Sequence, residues 1–258
     1  MLILAVETAT ESAGVALVDG DGLLAMTVTA RRRRHAETVA PSIAFVCDRA
    51  GVALADVTAL AVDIGPGLFT GLRVGIATVK ALALALEVPV VTATSLEILA
   101  SAAVVADGAV TPDPVGAGGP PLVVPVVDAR RGEVFSAVFE VAGSATRRVR
   151  DEAVGTPVAL AETLRGLERR CLVVGDGALR YRALFDGVPD LLVATDALAH
   201  PPVAVLGTLA LGRVRGGAAT SGDDVTPRYL RDADARIHWE QRAVRPTGSS
   251  VSPVGGAA

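Results

Sequence analysis

One strand pattern occurs twice in this sequence, and it constrains the fold more than any other feature. An apolar run that ends in an acidic residue occupies residues 2–7, and a second such run occupies residues 122–128. A second apolar stretch follows each run, at residues 14–18 and 132–139. The repetition predicts two related halves, each of which opens with a strand, an acidic turn and another strand.

The first half is predicted to contain three strands followed by alternating helices and strands. These elements are strands at residues 2–7, 14–19 and 23–29, a helix at 36–50, a strand at 60–64, a helix ending near 86, a strand at 88–91 and a helix capped by Ser95. This order is typical of an antiparallel ribbon that leads into parallel strands joined by crossover helices. The second half continues with a helix at 157–169, a strand at 171–175 and helices at 178–185 and 202–214.

The duplicated order predicts the fold class. It is the pattern of the actin, sugar-kinase and Hsp70 ATPase architecture, so we predict an α/β fold with two βββαβα-type halves and mixed sheets. Residues 1–105 are the predicted N-terminal subdomain and residues 122–235 the C-terminal one. Residues 106–121, rich in Gly, Pro and Ala, are predicted to be a loop, and residues 236–258 a tail that is disordered at its end.

Composition and charge narrow the function classes. The formal net charge is -4 at pH 7, so the chain as a whole is not suited to attract nucleic acid. Its three histidines, His35, His200 and His238, lack the spacing of metal ligands. The two cysteines, Cys47 and Cys171, lie in apolar segments and are predicted to be buried free thiols.

The sequence also favours a protein of the cytoplasm. The first apolar run has no basic region before it and meets Glu7 at once, which predicts a strand instead of a signal peptide. No uninterrupted apolar run reaches the ~20 residues that span a bilayer, since Lys80 and Glu87 interrupt the longest candidate. We therefore expect a cytoplasmic chain in a reducing compartment, with no membrane contact.

A glycine-rich stretch joins the strand at 60–64 to the next helix. It reads Gly65-Pro66-Gly67-Leu68-Phe69-Thr70-Gly71-Leu72-Arg73-Val74-Gly75. Gly71 and Gly75 are four residues apart and share a helix face, on which another helix could pack closely. A dinucleotide-binding fingerprint would need its third glycine one residue before Gly71, and a Walker loop would need a lysine that this stretch lacks. The alternative is a tight strand-to-helix turn with close internal packing.

Two acidic turns lie where the actin-like architecture carries an acid near bound phosphates. Glu7-Thr8 and Asp128-Ala129 occupy these turns here. Glu7 and Thr8 are therefore candidates for the remnant of a nucleotide-binding turn. The alternative is that acidic and small residues cap turns in many folds. We favour this alternative for the second turn and predict ion pairing within the chain among its charged residues, Asp128, Arg130, Arg131 and Glu133.

Taken together, these motifs resemble one known family. The glycine-rich stretch resembles the signature G-P-G-S-F-T-G-L-R-I-G of the bacterial TsaB (YeaZ) family and differs from it only at Leu68 and Val74. Other blocks are similar to blocks of the same family, in the same order, at residues 3–8, 128–134, 175–178 and 227–231. The resemblance extends from about residue 1 to residue 235.

The resemblance implies a non-catalytic subunit of a tRNA-modifying complex. Members of this family pair with their paralogue TsaD, the threonylcarbamoyl-transferase. With TsaE and the carbamoyl-adenylate synthase TsaC, they serve the formation of N6-threonylcarbamoyladenosine in tRNA. The helix of the glycine-rich stretch and the helix before it form the dimer surface, used for TsaD or for self-pairing. Residues 65–75 are therefore the expected partner interface, and Gly75→Arg is expected to abolish pairing while the monomer stays folded.

The resemblance also implies that cofactors belong to the partner. We expect no cofactor or metal on this chain, ATP or ADP and a metal on the TsaD-type partner, and tRNA binding only through the complex. TsaD carries two histidines four residues apart on a helix, a spacing that suits metal binding. Ser95 and Leu99 stand at the matching positions here. A protease or a metal-dependent transferase activity is therefore not expected.

Two other functions stay open. A self-sufficient ATPase or phosphotransferase of the actin-like fold would need an acid to hold Mg²⁺, for which Glu7 and Asp128 are the candidates. An RNA-binding module would use the run Arg31–Arg34, but we favour a solvated turn there because no aromatic residue for base stacking is near. His35 is expected to be an exposed residue at a helix start, and Trp239 either folds back on the body or has no role.

Overall fold

The structure, a computed structural model, describes residues 1–30, 35–107, 121–143 and 145–231. It contains two five-stranded sheets. The strands of the first sheet are β1 (Ile3–Glu7), β2 (Ala13–Asp19), β3 (Gly22–Thr29), β4 (Ala59–Asp63) and β5 (Val90–Ala93). The strands of the second sheet are β6 (Leu122–Arg130), β7 (Glu133–Ala142), β8 (Ala145–Gly155), β9 (Cys171–Val174) and β10 (Leu191–Val193).

Both sheets have the same topology. The strand order is β3-β2-β1-β4-β5 in the first sheet and β10-β9-β6-β7-β8 in the second. In each half the first three strands pair antiparallel, and the last two join parallel beside the first strand. The predicted duplicated α/β fold with two mixed sheets is therefore confirmed.

Helices cover both sheets. Those of the described residues are α1 (His35–Ala50), α2 (Phe69–Leu86), α3 (Ser95–Asp107), α4 (Pro157–Arg165), α5 (Asp176–Arg180), α6 (Arg182–Phe185) and α7 (Val203–Arg215). Helices α1 and α2 pack on one face of the first sheet around Leu4, Leu60 and Val79. Helix α7 covers the opposite face, where Leu206 and Ala210 share a core with residues of β1 and β2.

Two helices exchange places between the halves. Helix α3, which follows β5 in the sequence, packs on the second sheet, where Leu96 and Leu99 lie in one core with Phe139. Helix α7 follows β10 but packs on the first sheet. The boundary near residues 105 and 122 thus separates the sheets but not the helices that cover them. The division into residues 1–105 and 122–235 as subdomains stays a prediction.

Several predicted elements needed correction. Strand β8 was missed because its charged, largely exposed residues give no alternation of apolar side chains. The short strand β10 was missed as well. Helix α4 ends at Arg165, where Gly166 forms its C-terminal cap, and does not continue to residue 169. The predicted strand at 88–91 lies at Val90–Ala93.

The cap of α3 is Thr94 and not the predicted Ser95. The Thr94 hydroxyl oxygen accepts a hydrogen bond of 3.2 Å from the backbone N–H of Glu97. Ser95 is the first helical residue and donates its hydroxyl hydrogen to Asp63 instead. Both cysteines are buried and free, as predicted.

Helix α2 is long and apolar enough to cross a membrane by length and composition alone. These criteria are weak evidence, because the core helix of a soluble protein also meets them. Ile76, Val79 and Ala83 of α2 are buried in the core over the first sheet. The helix therefore has a place in the packed core, and the predicted lack of membrane contact stays a prediction.

Some sequence predictions fall outside the described residues. These are the structures of Arg31–Arg34, of Trp239, of most of the 106–121 loop and of the 236–258 tail.

Candidate functional site

The glycine-rich stretch forms the turn between β4 and α2 and lies against the end of β1. The backbone N–H of Leu68 donates to the carbonyl oxygen of Ala9 at 2.6 Å, and the Thr8 hydroxyl donates to the carbonyl oxygen of Gly71 at 2.8 Å. A Cβ on Gly71 would lie 2.0 Å from the Thr8 carbonyl oxygen, and a Cβ on Gly75 2.3 Å from Thr8 Oγ1. Only glycine permits this close approach.

The shared face of Gly71 and Gly75 is therefore turned inward, and the expectation that it offers a small-residue surface to a partner is wrong. Both glycines are buried, as are Gly65, Pro66 and Leu72. Gly75→Arg would place a long side chain against Thr8, so this variant would test folding before it tested pairing. The close internal packing considered as an alternative is what the structure shows for these glycines.

The other residues of the stretch remain accessible. Phe69, Thr70 and Arg73 are exposed, and Gly67, Leu68 and Val74 are half-buried. A role of these residues in partner binding stays a prediction.

An apolar stripe runs along the outward side of α2. It consists of exposed and half-buried residues at helical spacing, namely Thr70, Val74, Ala77, Ala81, Leu84 and Ala85. The Leu84 side chain is 81% exposed. The two charged residues of α2 are engaged elsewhere, because Arg73 lies over the Phe69 ring and Lys80 Nζ donates to the carbonyl oxygens of Asp223 and Val225. The stripe thus lies exposed and without charge in the described chain.

Two buried carboxyl groups lie side by side beneath the glycine-rich turn. The parallel register of β1 and β4 pairs Val6 with Val62, which places Glu7 next to Asp63. Glu7 Oε1 accepts from the backbone N–H of Ala9 at 2.7 Å. Glu7 and Asp63 are 1% and 0% exposed, so neither is accessible to a ligand in this structure.

Burial raises the pKa of both carboxyl groups. It raises the pKa of Asp63 to about 7, although hydrogen bonds from the Gly65 N–H at 2.7 Å and the Ser95 hydroxyl at 2.9 Å to Oδ1 act in the opposite direction. Burial and then the charge of Asp63 raise the pKa of Glu7 well above its ordinary value. Among the described residues, Asp63 Oδ2 has no hydrogen-bond partner.

The second acidic turn is held by ion pairs, as predicted. Asp128 Oδ2 lies 3.1 Å from Arg130 Nη1 and 2.9 Å from Arg180 Nη1. The Arg130 side chain also pairs with Glu11, which lies in the loop between β1 and β2. Arg130 therefore connects the two halves of the chain, and Glu133 pairs with Arg231.

Residues 228–231 fasten the two halves together, a role that the sequence did not reveal. The Arg228 backbone N–H donates to the Ile64 carbonyl oxygen at 2.7 Å. The Tyr229 ring stacks on Phe69 with centroids 4.8 Å apart, and Arg73 lies over the same Phe69 ring at 3.8 Å. Arg231 Nη1 donates to the Ala129 carbonyl oxygen at 3.2 Å. The matched block at 227–231 was the only signal of this contact in the sequence.

His35 is buried, whereas the sequence analysis predicted an exposed residue. It begins α1 but is only 7% exposed. A Cβ on Gly71 would lie 3.6 Å from His35 Cε1, so the imidazole packs over this part of α2. Its Nε2 has no hydrogen-bond partner among the described residues. The predicted helix began one residue later, at residue 36, and its apolar pattern gave no signal for this burial.

Comparison with known proteins places the chain in a family. The family described as TsaD: tRNA N6-adenosine threonylcarbamoyltransferase matches residues 23–239. The tRNA threonylcarbamoyladenosine biosynthesis protein TsaB of Escherichia coli is 30% identical over 93% of this chain and 98% of that protein, and the protein of the same name from Bacillus subtilis is 27% identical over 93% and 98%. The chain belongs to the TsaB/YeaZ family.

A solved structure supports this membership. It is described as an uncharacterized protein with similarity to peptidase YEAZ from Pseudomonas aeruginosa. It is 30% identical to this chain, covers 89% of it and 99% of its own length, and superposes with a TM-score of 0.76. The resemblance of this chain to TsaB/YeaZ proteins therefore holds for sequence and structure alike.

Ser95 and Leu99, the positions that the sequence analysis expected to match the paired histidines of TsaD, both serve packing in this TsaB/YeaZ member. Ser95 is fully buried, and its hydroxyl group donates a hydrogen bond to Asp63. Leu99 is fully buried in the core of the second sheet. Within the described ranges, no three His, Cys, Asp or Glu side chains are grouped as metal ligands.

Proposed function

We propose that this chain is a non-catalytic subunit that binds and supports a TsaD-type transferase in the formation of threonylcarbamoyladenosine in tRNA. Support comes from family membership and from the names of its relatives, which are tRNA threonylcarbamoyladenosine biosynthesis proteins. A TsaE-type ATPase is the second partner, and stable binding of tRNA occurs only through the complex. ATP or ADP and any metal belong to the partners, and the complex works in the cytoplasm.

The α2 stripe is the observation that carries this proposal. An apolar surface of this kind, exposed on a well-packed helix, is typical of a protein interface. The opposite side of α2 is fastened to β1 by Thr8, so the stripe is held rigidly toward the outside. Specific interfaces bury about 1,200–2,000 Å² in total. Helix α1 packs beside α2 and adds exposed apolar area, including Phe45, which is 51% exposed.

The same stripe also suits a homodimer when the partner is absent. A two-fold interface places the same patch of each copy against the other, and an uncharged apolar stripe meets no like charges when it does so. Self-pairing and pairing with the transferase would then exclude each other.

The buried acids argue against the alternative of a self-sufficient ATPase or phosphotransferase. Such an enzyme needs accessible carboxylates to hold Mg²⁺ and to orient the nucleophile. Glu7 is 1% exposed, and Asp128 is paired with Arg130 and Arg180. Both carboxylates bond to neighbouring groups of this chain and stabilise its turns, so they are not available to hold Mg²⁺. This favours the scaffold function over the enzyme.

Size-exclusion chromatography with light scattering tests the proposal. We would mix the chain with the TsaD-type transferase of the same organism, with and without ATP or ADP. The wild type should form a one-to-one complex, and Ala81→Arg should not, because it places a charge in the centre of the α2 stripe. Ala159→Arg, at an exposed alanine of α4, is the matched control and should behave as wild type. No complex with the wild type under any condition would refute the proposal.

A further inference from the structure

A cleft between the two halves is lined by several arginines. It has a volume of ≈ 470 Å³ and lies between the glycine-rich turn, the β6–β7 hairpin and residues 228–231. Arg130, Arg131, Arg228 and Arg231 line it, and Asp128 is the one acidic residue among its lining residues. Three of these arginines also pair with acidic side chains, namely Arg130 with Asp128 and Glu11, Arg228 with Glu152, and Arg231 with Glu133.

The same cleft gathers aromatic rings that are rare elsewhere in the chain. The sequence has five Phe, two Tyr and one Trp, and three of these eight residues, Phe69, Phe135 and Tyr229, line the cleft. The Phe69 ring is stacked on Tyr229 and lies under the Arg73 guanidinium group, whose Nε donates to the Tyr229 hydroxyl oxygen at 3.4 Å. Tyr229 is covered by Phe69 on one face and is still 41% exposed. A planar ligand can therefore stack on the remaining surface of the Tyr229 ring.

Arg228 has hydrogen-bonding capacity left for a ligand. The Nε of Arg228 donates a hydrogen bond to the buried carboxylate of Glu152, while the Arg228 side chain remains 47% exposed. Its two terminal amino groups have no acceptor in the part of the chain that the structure describes. The planar guanidinium group of arginine is well suited to phosphate oxygens.

The backbone of the β6–β7 hairpin positions two arginines at the cleft. Arg130 and Arg131 adopt left-handed conformations, with φ of 64° and 56°. Positive φ is usual at the tip of a tight β-hairpin, where it matches the twist of the strands, and Gly132 follows with a φ of 80°. The hairpin tip thereby places Arg130 across the cleft toward Glu11 and keeps Arg131 at the exposed rim.

We propose that this cleft binds single-stranded RNA, with one base stacked on Tyr229 and the neighbouring phosphate held by the terminal amino groups of Arg228. Stacking on an aromatic ring together with arginine contacts to the backbone is the way in which proteins bind unpaired nucleotides. The volume of the cleft lies in the range of small-ligand sites and accommodates one nucleotide. The inference deepens the proposed function, on which it rests. Since one nucleotide is bound, the chain alone binds weakly and high affinity for tRNA needs the complex.

Fluorescence anisotropy with the full-length chain and a labelled single-stranded oligoribonucleotide tests this inference. Tyr229→Leu should weaken binding about tenfold or more, because it removes the stacking surface. Tyr229→Phe keeps the ring and should bind as wild type. Arg228→Gln should lower the dependence of log affinity on log salt by about one unit. Arg165→Gln removes the same charge from an exposed position of α4 and should change nothing. Thermal unfolding of each variant shows whether it is folded.

Three outcomes would overturn the inference. The first is that wild type and Tyr229→Leu bind the oligoribonucleotide equally, or that neither binds. The second is that free AMP competes fully at the concentration of the oligonucleotide, which would identify a mononucleotide site and not an RNA site. The third is that Tyr229→Leu binds RNA normally but loses the TsaD-type transferase, which would identify a protein contact. Complex formation by each variant is measured in parallel, so a failure of RNA binding with an intact complex leaves the proposed function standing.

Discussion

The hydroxyl group of Thr8 donates a hydrogen bond of 2.8 Å to the carbonyl oxygen of Gly71, which lies 63 residues further along the chain. The same side chain lies against Gly75, where a Cβ would stand 2.3 Å from Thr8 Oγ1. These contacts fix the first turns of α2 on the end of β1. The orientation of α2, and with it the direction of the α2 stripe, follows from this attachment.

Gly75→Ala should destabilise the monomer by roughly 1–3 kcal/mol, because the added methyl group cannot be accommodated without a shift of Thr8 or of the helix. Gly212→Ala, in α7, is the matched control, since no atom lies within 4 Å of a Cβ built there. Gly212→Ala should raise the free energy of unfolding by about 0.4–1 kcal/mol, because alanine lowers the conformational entropy of the unfolded chain. Urea denaturation measures both, and equal effects of the two substitutions would contradict the inward orientation of Gly75.

Stability should fall as the pH rises toward neutrality, because Asp63 is harder to ionise in the folded chain. Its pKa rises from an ordinary value of 3.8 to about 7 on folding. The contribution of this group is therefore fully present below about pH 4 and is lost as the pH rises through about 7, at up to about 1.4 kcal/mol per pH unit. Glu7, whose pKa is also raised, adds to the same trend.

Asp63→Asn should flatten this dependence, since it removes the titrating group and keeps an oxygen to accept from Gly65 and Ser95. Urea denaturation over a pH series from about 4 to about 8 measures the difference. Asp21→Asn, at an exposed turn residue, is the control and should leave the wild-type slope unchanged. Parallel curves for the wild type and Asp63→Asn would show that Asp63 does not titrate in this range.

The ion pair between Arg130 and Glu11 should contribute measurably to the contact between the two halves. A double-mutant cycle with Arg130→Met and Glu11→Gln should give a coupling energy of about 1 kcal/mol, at the upper end for partly exposed pairs. The control cycle uses Arg182 and Asp186, whose side chains are 52% and 58% exposed. Its coupling should be close to zero. A coupling near zero for the first cycle as well would mean that the pair does not stabilise the contact between the two halves.

Self-pairing and transferase binding should compete, because both are assigned to the α2 stripe. Adding an excess of the TsaD-type transferase should convert any homodimer of this chain into a heterodimer, as followed by light scattering. Ala77→Arg should abolish both forms, and Ala159→Arg should abolish neither. A complex containing two copies of this chain and the transferase would show that the two interfaces are separate.

Much of the fold could be predicted from local patterns. The repeated strand, acidic turn and strand at the start of each half predicted the duplication, and the apolar run of β4 followed by glycines predicted the strand-to-helix turn. Local signals failed where side chains are exposed, as in β8, whose charged residues show no apolar alternation. They also failed for the α3 cap, since either Thr94 or Ser95 fits the pattern and only the nearby Asp63 accounts for the hydroxyl of Ser95.

The candidate site was predicted only in part. The glycine-rich stretch was recognised, but the direction of its glycine face was not, because α2 is apolar around most of its circumference and periodicity does not say which side meets the sheet. The burial of His35 and the contact between Phe69 and Tyr229 were also missed. Contacts between residues that are far apart in the sequence, such as Phe69 and Tyr229, produce no local sequence pattern from which they could be predicted.

The sequence by itself determined the family, the two-sheet α/β class and the position of the glycine-rich turn, because these depend on periodicity and on residue types at fixed spacing. The tertiary structure alone decided that Gly71 and Gly75 pack on Thr8, that α3 and α7 cover the opposite halves, and that arginines from distant segments share one cleft with Tyr229. The physical reason is that these features depend on which surfaces bury each other, and the burial of any one residue is set by residues far away along the chain.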